Sequence, residues 1–297
     1  MKKIKFQSEG LTLIGNLYTP VDYNENKKYP AVIVDGSWTT VKEQMQSLYA
    51  KALAEKGYIT LVFDHRYFGE SEGQPREYEN HDAKIQDIKD AVTYLQSLSF
   101  IDKDNIAALG ICASGAYMIK ATAEDHRIKA LATVAAWLMT PETAKLFYDG
   151  NQGIKIRIDK ALTSKKKFAE TGVADYVPAY DPNNMDAAMF FPVDYYGKPE
   201  RGAVPAWKNN FAVMSWEKWL TFDGISSSKK VDIPVIMIAS EKQFLADGSK
   251  TTFNNLKNVN KKIEWLNQYE HTDFYDNKET ILLAVNLIDK QFQNVLK

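Results

Sequence analysis

The stretch Leu109-Gly110-Ile111-Cys112-Ala113-Ser114-Gly115-Ala116-Tyr117 decides how this chain is expected to fold. It follows an apolar run at residues 105–109, which predicts a strand, and it opens a helix predicted at 113–124. A sharp strand-to-helix turn that carries a nucleophile has a recognisable pattern, with a small residue two positions before the nucleophile and another two positions after it. The flanks must be small because the backbone doubles back there and leaves no room for large side chains. Gly110 and Ser114 are the small flanks, which places Cys112 at the tip.

Cys112 is therefore the candidate nucleophile. A helix N-terminus carries partial positive charge and free N–H groups, and both favour the reactive thiolate. The backbone N–H of Ala113 would help to stabilise an oxyanion at the same place. Two other interpretations stay open. Cys112 could be a small buried core residue, which is the common fate of a free cysteine, or Ser114 could be the nucleophile, although that frame puts the tip inside the helix.

Short apolar runs alternate with helical stretches on both sides of this turn. Strands are predicted at 11–18, 31–35, 58–63, 105–109, 128–135, 233–239 and 262–267, and helices at 41–56, 82–98, 113–124, 247–257 and 276–295. This alternation predicts an α/β fold with a mostly parallel sheet of about eight strands and helices on both faces. Such sheets place their functional sites at the carboxyl ends of the strands.

One segment interrupts the alternation. Residues 137–230 lie between two predicted core strands and are far longer than an ordinary connection. The segment contains Trp137, Trp207, Trp216 and Trp219, which are four of the six tryptophans of the chain. We interpret residues 137–230 as an inserted cap that helps to line a pocket, and residues 1–136 and 231–297 as the core of the fold.

A nucleophile of this kind needs a base, and His271 is the candidate. It follows the last predicted strand, which gives the chain order nucleophile, acid, base. The acid is expected after strand 233–239, where the chain reads Ala-Ser-Glu-Lys-Gln-Phe at 239–244. Glu241 is favoured; the amide oxygen of Gln243 could orient the imidazole instead, as in Cys-His-Asn sites, and Asp247 lies further along. Ser37 or Trp38, after strand 31–35, is expected to give the second oxyanion N–H.

Composition excludes several classes of function. The 37 Lys and Arg residues nearly balance the 38 Asp and Glu residues, which gives no support to a nucleic-acid or membrane-surface partner. No stretch reaches the roughly 18 apolar residues of a membrane span, and the N-terminus lacks the apolar run of a signal peptide, so the expected compartment is the cytoplasm. No motif for a metal or cofactor is present, and none is expected. The single cysteine excludes an intramolecular disulfide.

Four runs together resemble a known family: VKEQ at 41–44, FDHRYFGESEGQPR at 63–76, LGICASGAY at 109–117 and HTDFYD at 271–276. They are similar to the dienelactone-hydrolase-like branch of the α/β-hydrolases, and more closely to bacterial proteins of that branch related to fungal polyketide transferases and thiohydrolases. The resemblance covers 1–136 and 231–297. It implies the α/β-hydrolase fold, with Cys112 as nucleophile and His271 as base. The aspartate of the branch is replaced here by Gln243.

These observations lead to three hypotheses. The first is a Cys-His hydrolase that cleaves an ester, thioester or lactone of a small apolar or aromatic acyl compound through an acyl-enzyme, with a small-molecule acyl substrate as its partner. The second is an acyltransferase that uses the same site. The third is a ligand-binding protein without catalytic activity on a hydrolase fold. The oligomeric state stays open, with a homodimer as one option.

Overall fold

The computed structural model describes residues 1–296 and arranges its strands in two sheets. The strands are Lys2–Ser8 (β1), Leu11–Tyr18 (β2), Tyr29–Asp35 (β3), Ile59–Phe63 (β4), Ile101–Ile111 (β5), Ile128–Val134 (β6), Tyr176–Val177 (β7), Phe211–Ala212 (β8), Val235–Ala239 (β9) and Lys261–Trp265 (β10). Eight of them form the main sheet in the order β1-β2-β4-β3-β5-β6-β9-β10. The pairs β1–β2 and β2–β4 are antiparallel, and the other pairs of this sheet are parallel.

Helices cover this sheet. They are Met45–Glu55 (α1), His81–Ser97 (α2), Ala113–Glu124 (α3), Pro141–Ala144 (α4), Gly150–Thr171 (α5), Asp194–Gly197 (α6), Ser215–Thr221 (α7), Ala246–Asn255 (α8), Asp273–Asp276 (α9) and Lys278–Val295 (α10). Helix α2 packs against α3, and α1 packs against α10. No helix within residues 1–296 is long and apolar enough to cross a membrane. The mostly parallel sheet of eight strands confirms the predicted fold class.

Three differences from the sequence prediction have a local physical reason. Strand β1 was not predicted, although Ile4, Phe6 and Ser8 are buried in alternation with exposed neighbours. Helix α1 begins at Met45 and not at residue 41, because Lys42 turns inward and its Nζ binds Asp64. The closing helix begins at Lys278 and not at 276, since the Asn277 side chain caps it by accepting from the N–H groups of Glu279 and Thr280.

The register of the central strands brings the candidate residues together. Asp35 at the end of β3 lies opposite Gly110 of β5, and Ile111 of β5 lies opposite Val134 of β6. The loops that follow these three parallel strands therefore emerge side by side at one edge of the sheet. The turn at Cys112 lies between the loop that starts at Gly36 and the segment that starts at Ala135.

The segment 137–230 contains α4 to α7, the antiparallel pair β7–β8 and a 3-10 helix at Ser226–Lys230. Most of its buried apolar side chains belong to the same cluster as those of the main sheet. Several contacts join it to the loop after β3. The Trp219 ring stacks on Trp38 at 4.0 Å, the Trp207 Nε1–H donates to the Thr39 carbonyl at 2.8 Å, and the Gln44 side chain donates to the Gly202 carbonyl at 2.6 Å. The segment is packed down onto the sheet edge.

Candidate active site

Cys112 occupies the tip of a strained turn between β5 and α3. Its φ of 58° and ψ of −121° lie in a backbone region that residues other than glycine rarely adopt. Such strained residues are common at functional sites. Its N–H donates to the Val134 carbonyl at 3.0 Å, and its own carbonyl accepts from the Trp137 N–H at 2.8 Å. A Cβ added at Gly110 would lie 2.4 Å from the Ser114 carbonyl oxygen. Only glycine fits there, as the turn pattern predicts.

Ser114 stabilises this turn through buried hydrogen bonds. Its hydroxyl accepts from the Ile111 N–H at 2.8 Å and donates to the Asp35 carbonyl at 2.8 Å. The side chain is fully buried, so it ties the start of α3 to the ends of β3 and β5. This arrangement favours a structural role for Ser114 over the alternative in which it is the nucleophile.

Three donors surround the Cys112 sulfur. The Ser37 hydroxyl donates to Sγ at 3.1 Å, and the Tyr275 hydroxyl and the Ala113 N–H also interact with it. Burial raises the pKa of the thiol, because a thiolate loses its hydration in an apolar surrounding; the three donors lower it, and burial outweighs them. The resting side chain is therefore a thiol in a site prepared to accept negative charge.

His271 reaches the sulfur only through Tyr275. Its Nε2 lies 2.9 Å from the Tyr275 hydroxyl, and its Nδ1 accepts from the Phe244 N–H at 3.3 Å. A neutral imidazole has one N–H, so this contact at Nδ1 puts the ring proton on Nε2, which donates to Tyr275. Burial lowers the pKa of His271 to about 3. The resting pair is a neutral thiol and a neutral imidazole.

The structure does not bring the three candidate acids to His271. The Glu241 side chain is 49% exposed and pairs with Lys250, as does the exposed Asp247. The Gln243 side chain is buried but accepts from the Ser240 N–H and donates to the Ala136 carbonyl, so it fixes the loop after β9. The backbone N–H of Phe244 occupies the position at Nδ1 where an acid was expected.

The loop after β3, where the second oxyanion donor is predicted, leaves two backbone N–H groups without a partner in the described part of the chain. The N–H groups of Ser37 and Trp38 make no hydrogen bond within residues 1–296, and both side chains line the cavity next to Cys112. The Trp38 ring is fixed between Trp219 and Phe211, with ring centroids at 4.0 and 5.5 Å. The loop is therefore rigid and offers free backbone donors beside the thiol.

His65 is not available as a base for Cys112. Its Nε2 lies 3.0 Å from the Asp35 carboxylate and its Nδ1 lies 3.2 Å from the Asp87 carboxylate. The two carboxylates hold the pKa of His65 above its usual value despite burial. This buried network fixes the Asp35 side chain, and with it the start of the loop after β3.

The cavity beside Cys112 is narrow and mostly apolar. Its volume is about 20 Å³, which is room for a single water molecule. Besides the residues already described, its walls come from the aromatic and apolar side chains of Trp137, Tyr148, Met189, Phe191, Val193, Tyr196 and Phe244. Six of these seven belong to the inserted segment 137–230, so this segment contributes most of these aromatic and apolar walls.

The sequence analysis missed two residues of the site. Tyr275 carries a signal that could have revealed it, because it follows His271 by four residues and so shares one face of a helical turn with it. Tyr196 carries none. It lies within the inserted segment and reaches the cavity only through tertiary packing.

A nucleophile turn after a central strand, a donor loop after a neighbouring strand and a histidine after the last strand define an α/β-hydrolase. The chain belongs to the family described as X-Pro dipeptidyl-peptidase (S15 family), whose sequence model matches residues 9–273. It is thus an enzyme of the α/β-hydrolase type. Peptidases of this family use a serine, whereas the tip of the turn is a cysteine in this chain.

Individual relatives agree with this assignment. The uncharacterized protein PA2218 of Pseudomonas aeruginosa PAO1 is 30% identical over 289 residues, covering 94% of this chain and 77% of the relative. Its crystal structure superposes with a TM-score of 0.86 over 99% of this chain and 93% of that chain. The polyketide transferase claH of Penicillium crustosum is 33% identical over 236 residues, 77% of this chain and 75% of the relative.

A further structure supports the fold alone. The α/β hydrolase GrgF of a Penicillium species has a TM-score of 0.84 at 21% identity, covering 99% of this chain and 98% of that chain. These comparisons establish the α/β-hydrolase superfamily, while membership of the dienelactone-hydrolase-like branch stays a prediction.

Proposed function

We propose that the protein cleaves an ester or thioester through a covalent acyl-enzyme on Cys112. The observation that carries the proposal is the position of the thiol at the tip of the turn, with three donors around its sulfur and an apolar cavity beside it. A sulfur nucleophile needs charge stabilisation in the site and a proton acceptor nearby. His271, one hydroxyl away, is the candidate acceptor.

The chemical step balances as follows. The sulfur adds to the acyl carbon, the carbonyl electron pair moves onto oxygen, and the thiol proton passes to His271. The oxyanion accepts hydrogen bonds from the Ala113 N–H and from the N–H of Ser37 or Trp38. The carbonyl re-forms and the alkoxide or thiolate leaves with the proton from His271. Water then adds to the acyl carbon and gives its proton to His271, and the Cys112 sulfur leaves with that proton.

His271 can take the thiol proton only after a local change. In the resting geometry Nε2 already carries a proton and Nδ1 faces the Phe244 N–H. The contact with Phe244 has to open so that the ring holds its proton on Nδ1 and offers Nε2 to the Tyr275 hydroxyl. Phe244 lines the cavity and packs on the imidazole with centroids 4.9 Å apart. An acyl group that enters the cavity would displace this side chain.

Acyl transfer is the second candidate. Two observations favour it: the narrow cavity leaves little space for bulk water beside an acyl-enzyme, and the relative claH is named a polyketide transferase. In this case an alcohol or amine, in place of water, accepts the acyl group from Cys112. The walls of the cavity suit a small apolar or aromatic acyl group in either reaction.

Intact-protein mass spectrometry tests the proposal. The wild type and Cys112→Ala are mixed briefly with a p-nitrophenyl ester, an acyl thioester or an X-Pro dipeptide p-nitroanilide. We expect an acyl adduct on the wild type with the ester and thioester and none on Cys112→Ala. Absence of any adduct on the wild type, or an adduct that persists in Cys112→Ala, would contradict the cysteine mechanism. Dependence of the product on an added alcohol or amine separates transfer from hydrolysis.

A further inference from the structure

Tyr196 has a buried hydroxyl without a partner beside the nucleophile. The residue is 3% exposed and lines the same cavity as Cys112, and its hydroxyl makes no hydrogen bond within residues 1–296. Leaving such a group unpaired costs about 1–3 kcal/mol. Buried polar groups without partners are rare in folded proteins, and each calls for an explanation such as a catalytic role or an ordered water. The hydroxyl is thus a free donor inside the candidate site.

The surroundings of this hydroxyl indicate which ligand atom it meets. The Ser37 and Tyr275 side chains approach it as hydrogen-bonding groups and lower its pKa without reaching regular hydrogen-bond geometry, and the Cys112 sulfur lies nearby. Ser37 already donates to the sulfur, and Tyr275 is engaged with His271. The carbonyl oxygen of an acyl group bound to the sulfur would therefore lie next to the Tyr196 hydroxyl.

Tyr196 stays protonated, which the role of a donor requires. Burial raises the pKa of its hydroxyl well above the usual value, and a negative charge on the Cys112 sulfur would raise it further. The ring is held in place by packing on Trp207, with centroids at 5.5 Å, and on Tyr195 at 5.1 Å. A donor that is fixed before the reaction costs no reorganisation when charge develops on the oxygen.

We propose that Tyr196 donates to the oxyanion of the acyl intermediate, so that the inserted segment supplies one of the groups that contact the reacting atoms. The inference rests on the proposed function and extends it. The core alone offers the Ala113 N–H and the N–H groups of the loop after β3. The hydroxyl of Tyr196 adds a donor from helix α6. The oxyanion site is then complete only when this helix is docked.

Two reactions of Cys112 separate this role from others. Acylation by a p-nitrophenyl ester forms an oxyanion, whereas alkylation by iodoacetamide displaces iodide and leaves its carbonyl without charge. We expect Tyr196→Phe to slow acylation at saturating ester by roughly 10²–10³-fold, with a small change in KM, and to leave the alkylation rate unchanged. The control is Tyr195→Phe, whose hydroxyl accepts from the Met45 N–H away from the cavity; its ratio of acylation to alkylation should match the wild type.

A binding measurement gives a second readout. A simple aldehyde adds to the Cys112 thiol as a hemithioacetal whose oxygen takes the oxyanion position, and its Kd should rise in Tyr196→Phe but not in Tyr195→Phe. Equal acylation in wild type and Tyr196→Phe, or equal slowing of acylation and alkylation, would overturn the inference. A wild type that is alkylated at Cys112 but never acylated would instead contradict the proposed function. Circular dichroism confirms that each variant is folded.

Discussion

At the scale of single residues, burial and hydrogen-bond donors act in opposite directions on the charge of one sulfur atom. The thiol of Cys112 is buried, which opposes ionisation, yet it receives hydrogen bonds from Ser37 and is approached by Tyr275 and the Ala113 N–H. A hydrogen bond to an ionised group contributes about 1.5–3 kcal/mol. The donors thus offset part of the cost of burying a thiolate without any permanent positive charge at His271.

Removal of the Ser37 hydroxyl tests this view. Because the Ser37 hydroxyl lowers the pKa of Cys112, Ser37→Ala should raise that pKa further, since the thiolate loses a hydrogen bond. The pH dependence of iodoacetamide alkylation measures this shift, and the rate below the pKa should fall accordingly. Ser47→Ala is the matched control, because the Ser47 hydroxyl donates to the Lys42 carbonyl and does not contact Cys112. An unchanged midpoint in Ser37→Ala would show that the hydroxyl does not stabilise the thiolate.

At the scale of elements, two short helices from distant parts of the chain are joined at the site. Helix α6 carries Tyr196, and helix α9 carries Tyr275. The Arg201 guanidinium, just after α6, makes two hydrogen bonds of 2.6 Å to the Asp276 carboxylate at the end of α9. Such fork-shaped pairs fix geometry as well as contributing energy. This ion pair therefore holds the inserted segment against helix α9, which carries Tyr275, the hydrogen-bond partner of His271.

Arg201→Gln should loosen this junction. Both partners are partly exposed, so the expected loss is about 1–2 kcal/mol after allowance for solvent screening. Hydrogen exchange at residues 194–204 and 273–276 should then be roughly 5–30-fold faster, while exchange in the main sheet is unchanged. Lys198→Gln removes an exposed pair with Asp194 on the same helix and serves as the control. Equal exchange in all three proteins would show that the pair does not hold the two helices together.

At the scale of the whole molecule, two buried neutral histidines set a limit on acid stability. Burial lowers the pKa of His271 to about 3 and that of His81 to about 4. In the unfolded chain both have a pKa near 6.5. The unfolded state therefore binds more protons below pH 6.5, and the free energy of unfolding falls as the pH decreases towards 4.

The expected loss between pH 6.5 and pH 5 is about 1.5 kcal/mol for each histidine. Urea unfolding of the wild type and of His81→Phe at the two pH values checks it. The phenylalanine keeps a ring on Phe222, with which His81 stacks at 4.4 Å, and it cannot bind a proton. We expect the loss in His81→Phe to be smaller by about 1.5 kcal/mol. The same loss in both proteins would mean that His81 is not held neutral in the fold.

Much of the fold could be predicted because its signals are local. Apolar runs and their spacing indicated the strands from β2 to β6 and β9 to β10, and the small flanks Gly110 and Ser114 indicated the turn that carries Cys112. Strand β1 was not predicted because its apolar alternation is short, with Ile4 and Phe6 set among lysines. The start of α10 was predicted too early because a single cap residue, Asn277, separates it from α9.

The sequence by itself determined the class of the fold, the turn, the nucleophile candidate and the place of His271 after the last strand, since periodicity and steric demands within a few residues specify them. Only the tertiary structure decided that His271 meets the sulfur through Tyr275, that Glu241 stays at the surface and that Tyr196 enters the cavity. These outcomes depend on which side chains from distant segments reach one point, and pattern along the chain does not encode such distances. Burial, which sets the charge of both Cys112 and His271, arises in the same way from packing of the whole molecule.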